Sequence, residues 1–203
     1  MITIGITGGV GCGKSSVLDY IAKNYNCIIV IADDIGNKVK EPGQACFDKL
    51  VDLMGKDVLG YDGYIDKKKM AEKIFADHVL LEKVNDIIHP AVTEYILNLK
   101  AEEMKKGEKD YFFIEAALLI ECGYRAYTDE MWYIYASEDV RRKRLRDSRG
   151  YSDKKIDSII GTQLSEENFK KGCDRMIDNS GNLKETYRQI DRLMKSAGES
   201  IGK

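Results

Sequence analysis

The chain has 203 residues, with 32 basic and 34 acidic side chains, a formal net charge of -2 and 43% hydrophobic residues. That length supports one domain around a large core, and the near-neutral balance argues against a nucleic acid as main partner. Neither a leader ahead of the first strand nor a run of about 18 apolar residues is found, and the cysteines Cys12, Cys27, Cys46, Cys122 and Cys173 form no C-x-x-C pair, so export and membrane spanning are not expected and a reducing, cytoplasmic setting is.

The predicted elements begin with a strand over 2–6 that runs into Gly8-Gly9-Val10-Gly11-Cys12-Gly13-Lys14-Ser15, a complete G-x-x-x-x-G-K-S match opening a helical pattern at Ser16. Strand, loop and helix are the setting this phosphate cradle requires. Gly9, Val10, Gly11, Cys12, Gly13, Lys14, Ser15 and Ser16 are therefore the candidate nucleotide-binding residues. Backbone N–H groups and the helix N-terminus face the polyphosphate, Lys14 reaches its terminal groups, and the Ser15 hydroxyl can ligate Mg²⁺. Further strands are predicted over 27–32, 111–116, 132–136 and, more weakly, 175–177, separated by helical patterns. Such alternation argues for an α/β fold with a parallel sheet flanked by helices.

Two stretches break the alternation. Residues 34–106 read as helical throughout, with helices over 44–54, 67–75 and 79–105, the last broken near His89-Pro90. An insertion of this size after the second strand is where a second substrate could sit. Residues 139–163 read as two helices joined around Arg149-Gly150, with Ser137 and Ser152 as N-caps. Arg141, Arg142, Lys143, Arg144, Arg146 and Arg149 crowd the first, with Asp147 as the nearest offset, so the run is either a solvated face or a lid that receives anions.

A P-loop alone does not choose between a GTPase, an ATP-driven machine and a small-molecule kinase. Asn37-Lys38-Val39-Lys40 lacks the aspartate of a guanine-reading motif, and Asp57-Val58-Leu59-Gly60 sits in the helical insertion and reads as a turn. A polymer-engaging motor would show a repeat or a basic surface, and none is present. A phosphotransferase needs a base for the acceptor hydroxyl, and Asp33 or Asp34, at the end of the second strand, can supply it or simply cap the next helix.

In order along the chain, Thr7 to Ser15, Ala32-Asp33, Glu41-Pro42-Gly43, Asp62-Gly63, Phe75, His89-Pro90, Leu118-Leu119-Ile120-Glu121, Arg144-Leu145, Arg149-Gly150, Gln163 and Ile177-Asp178-Asn179-Ser180-Gly181 resemble the dephospho-coenzyme A kinases over nearly its whole length. The resemblance implies a P-loop kinase fold of five parallel strands, with a nucleotide-binding core (1–33, 107–140 and 171–203), a helical acceptor-binding region (34–106) and a lid (141–170). It also implies ATP as co-substrate with Mg²⁺ and dephospho-CoA as acceptor; the sequence does not fix the oligomeric state, with a monomer favoured. Lys14, Asp33, Arg144 and Arg149 are the catalytic candidates, with Asp33 as base for the ribose 3′-hydroxyl. Another kinase of small molecules or nucleoside monophosphates on the same fold, and a nucleotide-binding regulatory protein, are the alternatives.

The chain also departs from the family pattern. Ile31 stands where an aspartate is usual, Lys67 where an arginine is common, and Ala117 where a proline precedes Leu-Leu; Glu115 is placed to hold Mg²⁺ through water. Cys12 replaces a usual serine or alanine. Loop dipoles and Lys14 would favour its thiolate and make it reactive, whereas a side chain turned into the core would be inert. His89 reads either as an acceptor contact or as a helix end, the other cysteines as core fillers, and Trp132 as core.

Overall fold

Ile4 and Ile6 alternate with Thr3 and Thr7 along the first strand, and both sets are fully buried. A strand buried on both faces lies inside a covered parallel sheet. The computed structural model describes residues 1–199. Its strands β1 (Ile2–Thr7), β2 (Cys27–Ile31), β3 (Tyr111–Glu115), β4 (Glu130–Tyr135) and β5 (Arg175–Asp178) form one sheet in the order β2-β3-β1-β4-β5. Parallel pairing sets Ile4 beside Phe113 and Ile6 beside Trp132. The five strands match the expected ones to within two residues at each end.

The chain divides into two compact units, one made of Met1–Ile29 with the chain from Lys106 onward, the other of Val30–Lys105. In the first unit, Ile4, Ile6, Phe113, Trp132 and Ile134 meet the apolar stripes of α1 (Lys14–Asn24) and α9 (Leu183–Glu199), namely Val17, Leu18, Ile21, Ile190, Met194 and Ala197. Trp132 is fully buried, as expected of core, and its Nε1 donates to Glu130. On the opposite face Tyr133 stacks on Phe169 of α8 (Glu166–Gly172) with ring centroids 4.8 Å apart. Gly5 faces the same way, and a Cβ there would fall 2.7 Å from Leu119 Cδ2, so a larger residue would have to displace the Leu119 side chain. α6 (Glu138–Arg149) and α7 (Asp153–Gly161) follow β4.

The second unit is helical: α2 (Ala32–Lys38), α3 (Phe47–Met54), a 3₁₀ turn at Lys56–Val58, α4 (Lys67–Ala76) and α5 (His78–Lys106). Its buried side chains include Val39, Leu50, Met54, Val58, Val84, Val92 and Ile96. α4 begins where expected because the Asp66 carboxylate accepts from the N–H groups of Lys68 and Lys69.

Three expectations are corrected. β2 stops at Ile31, so Asp33 and Asp34 lie in the first turn of α2 rather than on a strand end. α3 starts at Phe47 instead of Gln44, since Gly43 turns with φ 81° and Cys46 N–H folds back to the Val39 carbonyl. α5 runs unbroken through Pro90, inside the helix, so His89 ends nothing. Pro90 faces solvent, where water can serve the carbonyl that its missing N–H leaves unpaired, while Val84, Val92 and Ile96 hold the opposite side inward. Among the described residues no helix is long and apolar enough to cross a membrane.

The lower ends of β4 and β5 are fastened by Asp174, which accepts from Met131 N–H at 2.7 Å and from the Arg125 guanidinium. Burial pushes its carboxyl up, but those bonds outweigh it and hold the carboxyl below the usual aspartate range. A depressed native value gives stability that is present above about pH 4 and lost as pH falls through that value. Asp174→Asn should therefore cost about 1 kcal/mol near pH 7, with urea melts of variant and wild type converging below about pH 4.

Candidate active site

The loop between β1 and α1 is bound from behind through its carbonyl groups. Val10 O accepts from Arg141 Nε at 2.9 Å, Gly11 O and Cys12 O from Arg144 Nη1 at 3.3 and 3.2 Å, and Cys12 O also from Asn179 Nδ2 at 2.7 Å. In a trans peptide the N–H points opposite to the carbonyl that shares its plane. Pulling the Val10 and Cys12 carbonyls toward these donors therefore turns the N–H groups of Gly11 and Gly13 the other way, as an anion cradle needs. Gly13 has φ 87°, and a Cβ on it would collide with the Asn179 carboxamide. Asn179 is buried, and its Oδ1 in turn accepts from Thr186 Oγ1 at 3.0 Å.

Lys14 opens α1 with its ammonium folded back, donating to Gly8 O at 2.8 Å and lying 3.5 Å from Glu115 Oε1 at the end of β3. Both partners are ones a phosphate can replace. Ser15 and Ser16, in the first turn of α1, are exposed. The carboxylate of Glu115 and the hydroxyl of Ser15 are hard oxygen donors, the kind Mg²⁺ takes. Among the described residues no three His, Cys, Asp or Glu side chains gather as a metal cluster.

The cationic run of α6 is more evenly balanced than its own sequence shows. Arg142 pairs with Glu138 at 2.7 Å and with Asp157 at 2.6 Å, and Arg146 pairs with Asp153 at 2.8 Å. Asp147 is thus not the main offset. The acids come from the first turn of α6 and from α7. Arg141 and Arg144 are turned to the loop, whereas Arg149 ends α6 exposed, its guanidinium 5.9 Å from the Tyr151 ring. Gln163, between α7 and α8, accepts from Val10 N–H at 3.2 Å and from Arg141 Nη2 at 2.6 Å. Arg141 escaped notice in the sequence because nothing distinguishes it from its neighbours. The signal available for Gln163 and Asn179 was their place among the family motifs.

Asp33 lies in the second unit, exposed in the first turn of α2. That unit holds a cleft of about 260 Å³ lined by Asn37, Lys40, Tyr64, Lys67 and Met70 among others. Burial lowers the Lys40 ammonium pKa and the charge of Lys67 lowers it further, while Cys46 and Asp33 oppose this. The carboxylates of Glu41 and Asp62 line the same cleft, so its wall presents two cationic and two anionic side chains. Asp57-Val58-Leu59-Gly60 is a turn, as expected, with Asp57 bound to Lys73 at 2.8 Å.

A family model described as dephospho-CoA kinase matches residues 2–185. A dephospho-CoA kinase of Carboxydothermus hydrogenoformans is 34% identical over 187 residues, covering 92% of this chain and 90% of that one. A solved structure from Thermus thermophilus superposes with a TM-score of 0.79 at 26% identity, covering 96% of this chain and 97% of that one. A dephospho-CoA kinase from Campylobacter jejuni, at 20% identity with 98% of each chain covered, shares the fold with a TM-score of 0.71.

Cys12 does not fit the expectation of a reactive thiolate. Its side chain is buried among Ile4, Ile6, Val17 and Ile134 in the core under the loop. Burial pushes the thiol pKa up, and this outweighs the opposing pull of Lys14 and Arg141. The dipole argument failed because it concerns the loop's inner surface, while the sulfur faces the other way. In the nucleotide-free protein, limited iodoacetamide treatment followed by peptide mass mapping should label Cys12 more slowly than the half-buried Cys27 and Cys122.

Proposed function

The chain belongs to the dephospho-CoA kinase family, and on that footing we propose that it transfers the terminal phosphoryl group of ATP to the 3′-hydroxyl of dephospho-CoA, giving CoA and ADP in the last step of coenzyme A synthesis. The match along residues 2–185 carries this reading. The carbonyl-anchored loop supplies the donor cradle.

Each residue's role follows from its place. Gly9 to Ser16 receive the donor phosphates through backbone N–H groups and the N-terminus of α1. Lys14 exchanges Gly8 O and Glu115 for the β and γ oxygens, where its charge offsets what accumulates during transfer. Mg²⁺, when bound with ATP, would neutralise phosphate charge, with Ser15 and Glu115 as the protein groups suited to hold it. Arg144 spends three hydrogen bonds on the carbonyls of Gly11, Cys12 and Asn179, and a guanidinium has five N–H donors, so it can brace the loop and still reach a phosphate oxygen. Arg149 joins it when the lid, 141–170, closes over the donor.

The region 34–106 takes the acceptor. Lys40 and Lys67 on their cleft suit the acceptor's pyrophosphate, Lys67 as a point charge where an arginine would grip bidentately. Asp33 accepts the proton of the 3′-hydroxyl as the oxygen attacks the γ-phosphorus.

Incubation with ATP, Mg²⁺ and dephospho-CoA should give a product heavier by one phosphate on the ribose 3′ oxygen. Much faster turnover of shikimate, gluconate or a nucleoside monophosphate, read by mass spectrometry, would sink the assignment. Asp33→Asn should lower kcat by roughly 10²- to 10⁴-fold with little change in ATP affinity, whereas Asp34→Asn should be mild. A larger loss at Asp34 would transfer the role to that residue.

A further inference from the structure

Val10 is clasped by a single pair of side chains. Its N–H donates to Gln163 Oε1 at 3.2 Å, its carbonyl accepts from Arg141 Nε at 2.9 Å, and Arg141 Nη2 closes the ring by donating to the same Gln163 oxygen at 2.6 Å. Gly9 makes room for this: a Cβ there would fall 2.5 Å from Arg141 Nη2. The Gln163 oxygen is thus coordinated by one loop N–H and one guanidinium N–H. A P-loop offers that donor set to a phosphate oxygen.

The inner phosphates of a nucleotide take the N–H groups at the N-terminus of α1. Val10, three residues ahead of Gly13 and next to α6, is left for the outermost phosphate. A charged phosphate oxygen makes bonds roughly twice as strong as a neutral carboxamide oxygen, so it wins the competition for these two donors. ADP has no group to compete with.

We propose that Gln163 competes with the terminal phosphate at the donor site: its carboxamide oxygen occupies the place of a terminal phosphate oxygen on Val10 N–H and Arg141, and is displaced by ATP but not by ADP. The displaced Gln163 releases the segment between α7 and α8, and Arg141 passes from the carboxamide to the phosphate. Product formation returns both donors to Gln163. This rests on the reading of the chain as an ATP-using kinase.

Calorimetric titration of the whole protein with ADP and with a non-hydrolysable ATP analogue, acceptor omitted, tests the idea through opposite signs. Gln163→Ala removes the competitor and should bind the ATP analogue about five- to tenfold more tightly, with ADP affinity within about twofold of wild type. Gln163→Met keeps the side-chain length without the oxygen and should behave alike, so a local collapse in the alanine variant cannot mimic the effect. Gln163→Glu places a charged oxygen on the same donors and should weaken the ATP analogue about tenfold or more, again sparing ADP. Weaker ATP binding by Gln163→Ala, or wild-type ATP binding by Gln163→Glu, is the pattern of a mere brace and overturns the proposal while leaving the kinase reading intact. Failure of the wild-type protein to bind either nucleotide overturns both.

Discussion

The loop between β1 and α1 depends on guanidinium and carboxamide groups gripping the backs of three consecutive peptide carbonyls, those of Val10, Gly11 and Cys12. Glycines permit the loop's shape, but permission alone leaves a flexible segment with many conformations of similar energy. Arg141, Arg144 and Asn179 select one of them. They come from α6 and from the residue after β5, so two remote elements must be placed before the loop can present its N–H groups. The sheet does this placing, since β4 leads to α6 and β5 ends just before Asn179.

Much of this architecture was legible in the sequence. Strands buried on both faces read as short apolar runs whatever their neighbours, and the loop motif is a local pattern with a local physical meaning. The errors arose where the deciding contact was distant. Asp33 and Asp34 followed an apolar run and passed for a strand end, although both are acceptable in the first turn of a helix. Pro90 was taken for a break because its cost is local, whereas the burial of Val84, Val92 and Ile96 that outweighs it belongs to the folded unit.

The same reasoning explains the arginines of α6 and the sulfur of Cys12. Six cations in nine residues looked unbalanced because Asp153 and Asp157 stand on the next helix. Of that run, Arg142 and Arg146 bind α6 to α7, Arg141 and Arg144 serve the loop, and Arg149 is left toward solvent. The direction of the Cys12 side chain was equally invisible, since a loop residue can face phosphate or core. The burial that quiets its thiol comes from residues of β1, β4 and α1.

The bond from Asn179 to the Cys12 carbonyl spans 167 positions of the chain. The loop proposed to receive ATP is thus among the first segments made and among the last completed. At typical synthesis rates of 5–20 residues per second, residues 8–15 wait roughly ten to thirty seconds for their final partner to emerge. During that interval the loop lacks the Asn179 bond to its Cys12 carbonyl, so on the reading proposed above ATP stabilises the nascent chain less than the finished one. On the same reading, a chain released before Asn179 gains less from bound nucleotide than the finished one.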